Sequence, residues 1–99
     1  MKDIIIKIKE DVNMEFTHEE MLMKIKEGRD LAEEAIKLAS GMRSEAEKDL
    51  YCAGISLVVT IDVFICECIE DKTKAKNLLE AITDILVDTI LPLAIKSLL

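Results

Sequence analysis

The side chains spaced for chemistry in this sequence are mostly carboxylates. Glu80, Asp84 and Asp88 recur at i, i+4 and i+8, which sets three acids on one helical face. Such a row could hold Mg²⁺ if a second helix or subunit added oxygens. An acidic row on a narrow helical stripe is also what a solvated face looks like, and nothing else here points to metal. Asp62 is different: it lies near the centre of Leu50–Ile69, where the only other charge is Glu67. A carboxylate in such a place either carries a shifted pKa and a chemical role or is paired, fixing helix register or lying at an assembly interface. The structural reading is the stronger. In an antiparallel bundle the expected neighbours of Asp62 are Lys24 or Lys26 and Thr83.

Glu33 and Glu34, followed by Glu45 and Asp49, resemble the metal-binding pattern of the MazG-like nucleotide pyrophosphohydrolases. That resemblance implies an all-α dimer holding Mg²⁺ with a Glu-Glu-x-x-Glu run and a downstream Glu-x-x-Asp. Lys37 stands where the third acid belongs, and the second pair is spaced by four. The match spans under a fifth of the chain and departs at the ligands themselves, so the family is not assigned. Glu33, Glu34, Glu45 and Asp49 stand as metal candidates of a rival reading, a small metal-dependent all-α hydrolase of nucleotides. Glu15-Phe16-Thr17-His18 has the Glu-x-x-His spacing of di-iron bundles, but those need two such motifs and two more carboxylates. His18 is the single histidine, so only a second copy could complete that set.

Nucleophiles are no better placed. The chain has three Gly and no phosphate-cradling loop. Cys52, Cys66 and Cys68 have no general base near them in sequence. Cys66-Glu67-Cys68 lacks the two-residue spacer of a zinc or redox pair, and on a helix the two thiols diverge by about 200°. The cysteines read as small buried hydrophobes in a reducing cytosol. No catalytic residue and no cofactor are assigned, and a role other than an enzyme's is favoured.

Composition narrows the classes further. The residues AVILMFWYC make up 51% of 99 residues against 33% charged, which excludes a disordered chain. Aromatics at 3% leave no base-stacking surface. A formal charge of -7 and a pI near 4.7 argue against a nucleic-acid binder, whose affinity comes from clustered Lys and Arg. A mimic of nucleic acid is disfavoured as well, because 13 basic residues are interleaved with 20 acids. Ile4, Ile5 and Ile6 are broken by Lys7 and Lys9, unlike a signal peptide. Leu50–Ile69 has the length of a membrane span. Asp62 at its centre costs about 3 kcal/mol on insertion scales, so a buried soluble helix is preferred and the expected location is cytoplasmic.

The elements that position these groups are helical. Thr17-His18-Glu19-Glu20 and Ser44-Glu45-Ala46-Glu47 both fit a capping box, and Ser40-Gly41 between them supplies a left-handed stop. A first helix over about 18–40 follows. Met21, Ile25, Gly28, Ala32, Ala35, Ala39 and Met42 alternate at spacings of four and three, a packing seam with the smallest residues in its middle. Gly28 there implies close approach of a neighbour, since a helical Gly costs about 1 kcal/mol relative to Ala.

A second helix covers about 45–70. It is rich in β-branched residues, yet Asp49, Ser56, Thr60, Glu67 and Asp71 hold one azimuth, and a helical period outweighs propensity. A second polar stripe, Asn77, Glu80, Asp84 and Asp88, lies about 90° out of phase, so the chain reorients in the polar run Glu70–Asn77. A third helix then spans about 73–98, kinked or interrupted at Pro92. The first dozen residues fit a short strand, Ile4, Ile6 and Ile8 alternating and pairing with Met14–Phe16 or with the same segment of another subunit, in preference to a short helix.

The expectation is one helical domain over 1–99: an all-α antiparallel bundle of three main helices with Ala32 facing Ala53–Gly54. The second and third helices are apolar around most of their circumference, more than three helices can enclose. That implies a helical oligomerisation module, a dimer or larger homo-oligomer with room for another protein partner. A membrane-associated hairpin of the last two helices is the remaining alternative.

Overall fold

The computed structural model describes residues 16–39 and 41–98. The strand-or-helix question over the first dozen residues, with Met14 as a partner, lies outside the described residues.

α1 (His18–Leu38) starts where the sequence places a cap. The Thr17 hydroxyl accepts from the Glu20 amide at 3.2 Å, and the Glu20 carboxylate accepts from the Thr17 amide at 3.3 Å. Two of the four orphan amides at the helix start are thereby satisfied. The exit differs from expectation. The left-handed residue is Met42, with φ of 43°, and no described Gly has positive φ. The chain turns by a bond from the Met42 amide to the Ala39 carbonyl at 3.1 Å, which carries the reversal one residue past Gly41.

α2 (Glu45–Glu70) is one unbroken rod despite its β-branched residues. Ser44 caps it by accepting from the Glu47 amide at 3.2 Å. Only half of the expected box forms, because the Glu47 carboxylate takes the Arg43 amide at 3.2 Å instead. The phase break falls at Asp71, which ends α2 and caps α3 (Lys72–Ile85). Its carboxylate accepts from Thr73 at 2.9 Å and Lys74 at 3.2 Å. An extended residue carrying an acceptor satisfies the next helix start and changes direction in a single step.

As expected, the α-helical ladder is interrupted ahead of Pro92, by a change of helix type that does not end the C-terminal arm. Leu86–Ile90 forms a π turn and α4 (Leu91–Leu98) continues from it. The Leu91 amide reaches back five residues to the Leu86 carbonyl. The wider turn relieves the contact between the proline ring and the carbonyl four residues before it. The described chain is helical with no strand, three rods in antiparallel succession.

Three contacts fix the pairing of α1 with α2: His18 with Cys68, Arg29 with Asp62, and Ala32 with Gly54. One number rises as the other falls, so the rods are antiparallel. A Cβ added at Gly54 would lie 3.1 Å from the Ala32 carbonyl oxygen and 2.8 Å from Ile36 Cγ1. The small-against-small crossing expected at Ala32 is therefore where the two backbones meet. Gly28 does the same toward α3, where an added Cβ would come within 2.6 Å of Ile82 Cγ2. Around these crossings Ile25, Leu50, Leu57, Ile61, Ile82, Leu86 and Ile90 are fully buried. Thr83, the one buried polar residue among those described, donates to the Leu79 carbonyl at 2.8 Å rather than meeting Asp62.

Candidate functional site

α2 has three faces. Leu50, Gly54, Leu57, Ile61 and Cys68 are buried against the other rods. Asp49, Ser56 and Glu67 are exposed and Thr60 is half-buried, and these residues make the polar stripe that revealed the helical period. The Thr60 hydroxyl donates to the Ser56 carbonyl at 2.8 Å, so this stripe is partly occupied with its own backbone. The third face is apolar and uncovered. Cys52, Ile55, Val59, Val63 and Cys66 lie on it and all are exposed, Val59 at 54% and Val63 at 61%.

The surplus of apolar surface sits mainly on this one rod. Ile55, Val59, Val63, Phe64 and Ile69 belong to α2, whereas among the described residues the C-terminal arm leaves only Ile95 and Leu98 as large exposed hydrophobics. Leu78, Leu79, Ile82, Leu86 and Ile90 of that arm are buried. The sequence implied an uncovered face on both later helices. The crossings at Gly28 and Gly54 explain the difference, since α1 comes close enough to α3 to cover its apolar side and leaves α2 the odd face out.

Asp62 borders the apolar stripe, and its partner is Arg29 rather than Lys24 or Lys26. Arg29 Nε donates to Asp62 Oδ1 at 2.8 Å and Nη2 to Oδ2 at 3.3 Å. Nη1 donates to Glu33 Oε1 at 2.6 Å. A long helical side chain leans toward the N-terminus and covers the turn before its own Cα. The guanidinium of Arg29 thus lands where the register had pointed to Lys26. Hydrogen bonding from Arg29 holds the Asp62 carboxyl below its ordinary value, and the bond to Asp62 raises the guanidinium in turn. Half the Asp62 side chain remains exposed, at 53%. The group is a surface clamp between α1 and α2.

The candidate metal ligands are spread out. Glu33 is held by Arg29, Glu34 is exposed on α1, and Glu45 and Asp49 are exposed at the start of α2. Lys48 lies 3.9 Å from Glu45. Among the described residues no three His, Cys, Asp or Glu side chains gather as a metal site. Glu80, Asp84 and Asp88 are all exposed. His18 has work of its own: its Nε2 donates to the Cys68 carbonyl at 2.5 Å, satisfying one of the last carbonyls of α2. Glu15 lies outside the described residues.

The cysteines depart from the buried reading. Cys68 is buried, and burial, with Glu67 and Asp71 adding to it, pushes its thiol pKa up. Cys52 and Cys66 are exposed, because they fall on the face of α2 that neither neighbouring rod covers. The exposed stripe and the role of Arg29 are the two features sequence reasoning did not place. The spacing of Cys52, Ile55, Val59, Val63 and Cys66 was a usable signal for the first. No family model, curated protein or solved structure matches this chain.

Proposed function

We propose that this protein is a helical oligomerisation module whose chief activity is association through the uncovered apolar face of α2. The observation that carries the reading is the exposure of Ile55, Val59 and Val63 along one continuous helical stripe. Isolated exposed hydrophobes are ordinary, but a contiguous row on a rigid rod marks an interaction surface. The core beneath it is already close-packed at Gly54 and Ala32, so the stripe is not spare material for a looser monomer core. Three free thiols, two of them exposed, fit a reducing cytoplasm. Light scattering at micromolar concentration tests the reading. A mass of twice 11.1 kDa or more is expected, and a clean monomer at that concentration sinks it.

A membrane-associated hairpin is the second reading, because α2 is long and apolar enough to cross a bilayer and only 22% of its most apolar window is buried. The ion pair of Asp62 with Arg29 at mid-helix opposes it, since both charges would have to leave water. Recovery of the protein in the membrane fraction after salt washing would favour this reading over association between copies.

A further inference from the structure

The exposed face of α2 reads the same from both ends. Val59 is its midpoint: Ile55 and Val63 lie four residues to either side, Cys52 and Cys66 seven, and Lys48 and Glu70 eleven. Offsets of four, seven and eleven all return to within about 40° of the starting azimuth on a helix. All seven of these residues are exposed. A face with this symmetry is complementary to itself when one copy is turned end for end, because positions equally far from the midpoint then face each other.

We infer that two copies of this chain pack α2 against α2, antiparallel, about a two-fold axis at Val59. The inference rests on the oligomerisation reading and adds to it the partner, the direction and the register. Ile55 of each copy lies beside Val63 of the other, and Cys52 beside Cys66. A shallow left-handed crossing of about 20° brings seven-residue offsets face to face. Charge selects the direction. In the antiparallel pair each end joins Lys48 of one copy to Glu70 of the other, while a parallel pair would set Lys48 against Lys48 and Glu70 against Glu70. Sliding the register by half a heptad would press Asp62 against Cys52 and Lys48 against Cys66, burying charge on thiol. The Val59 register leaves Asp62 at the edge with Arg29, where it already sits.

A specific but reversible contact needs roughly 1,000 Å² in total, and the outward side chains of Ile55, Val59 and Val63 with Cys52 and Cys66 beyond them supply its apolar centre. A dissociation constant in the micromolar range is expected.

Thiol crosslinking reads direction and register together. The folded protein is treated with diamide, which oxidises a facing pair of thiols to a disulfide and is itself reduced, and is then run without reductant. The wild type gives a covalent dimer. Cys52→Ser and Cys66→Ser each lose it, and mixing the two variants restores it through the one remaining Cys52–Cys66 pair. Cys68 is buried and takes no part. Covalent dimer from either single variant alone means like thiols meet, and overturns the antiparallel register. Val59→Asp, which sets two carboxylates at the axis, is expected to weaken association at least about tenfold while the melting temperature of dilute protein holds. A wild type that scatters as a monomer removes the oligomerisation reading itself. A dimer that survives Val59→Asp, or crosslinks in the wrong pattern, removes only the α2–α2 packing.

Discussion

The two apolar sides of α2 carry the same kinds of residue in opposite surroundings. Leu50, Leu57 and Ile61 are sealed against the other rods, whereas Ile55, Val59 and Val63, interleaved with them in sequence, face outward. Hydrophobicity does not distinguish the sides. Gly54 does: it lies on the first side, and its missing Cβ lets the backbone of α1 come in at Ala32. The neighbouring rod packs on the side with the smallest residue, and the side of Ile55, Val59 and Val63 is left over. What the other rods do not cover stays exposed.

The sharpest way to break this comparison is to fill the crossing. Ala32→Leu forces a side chain into the place where the α2 backbone now sits. A cost of about 3 kcal/mol is expected from overpacking, and at roughly 4–8 °C per kcal/mol for a chain this size thermal melts should fall by more than 10 °C. An unchanged melt would mean the rods are not close-packed there.

Truncation on the two sides should then differ in kind. Leu57→Ala removes a side chain that is 1% exposed and should cost about 2–5 kcal/mol. Val59→Ala, only two residues on, should cost under about 0.5 kcal/mol in dilute solution, with its effect appearing only in sedimentation at high concentration. Equal losses for both would show that Val59 is packed within one copy.

A smaller effect is expected at the far end of the α1–α2 pair. His18→Ala removes the donor to the Cys68 carbonyl and should cost about 1 kcal/mol. Urea titration reads this as a lower midpoint with unchanged slope. A changed slope would instead mean that the end of α2 frays.

The smallest effect belongs to the Asp62 clamp, because an exposed ion pair contributes little. Its sign is nonetheless fixed. The Asp62 pKa is lowered in the folded state from the ordinary 3.8, so the contribution is present above that value and is lost as pH falls through the folded one. Asp62→Asn should lower the melting temperature by no more than a few degrees at pH 7. The gap between wild type and variant should close as pH falls through the lowered Asp62 value of the folded state. A gap that widens on acidification would reverse the assignment of Arg29 as the partner.

Much of the fold was legible because it is written locally. Thr17 and Glu20 announced the start of α1, Asp71 sits in the polar run where the phase break required a turn, and Ala32 with Gly54 marked the crossing. Each of these depends on residues within a few positions or on one helical period. The π turn before Pro92 was not legible, since proline reports a missing donor and a steric conflict without saying how the chain relieves it. Met42 in the left-handed region escaped notice for a related reason: Gly41 made the cheaper stop available, and the Arg43 and Ser44 bonds to Glu47 placed the turn one residue later.

The candidate surface was only half legible. An excess of apolar residues in the second half could be read from composition and period, together with the three rods that must bury them. Which side of α2 stays bare, that the third rod is covered, that Cys52 and Cys66 face outward, and that Arg29 reaches Asp62 were decided by tertiary packing. The physical reason is that periodicity and caps are properties of neighbouring residues along one chain segment. Burial is a competition between rods for the same apolar faces, and its outcome depends on where glycine allows two backbones to approach.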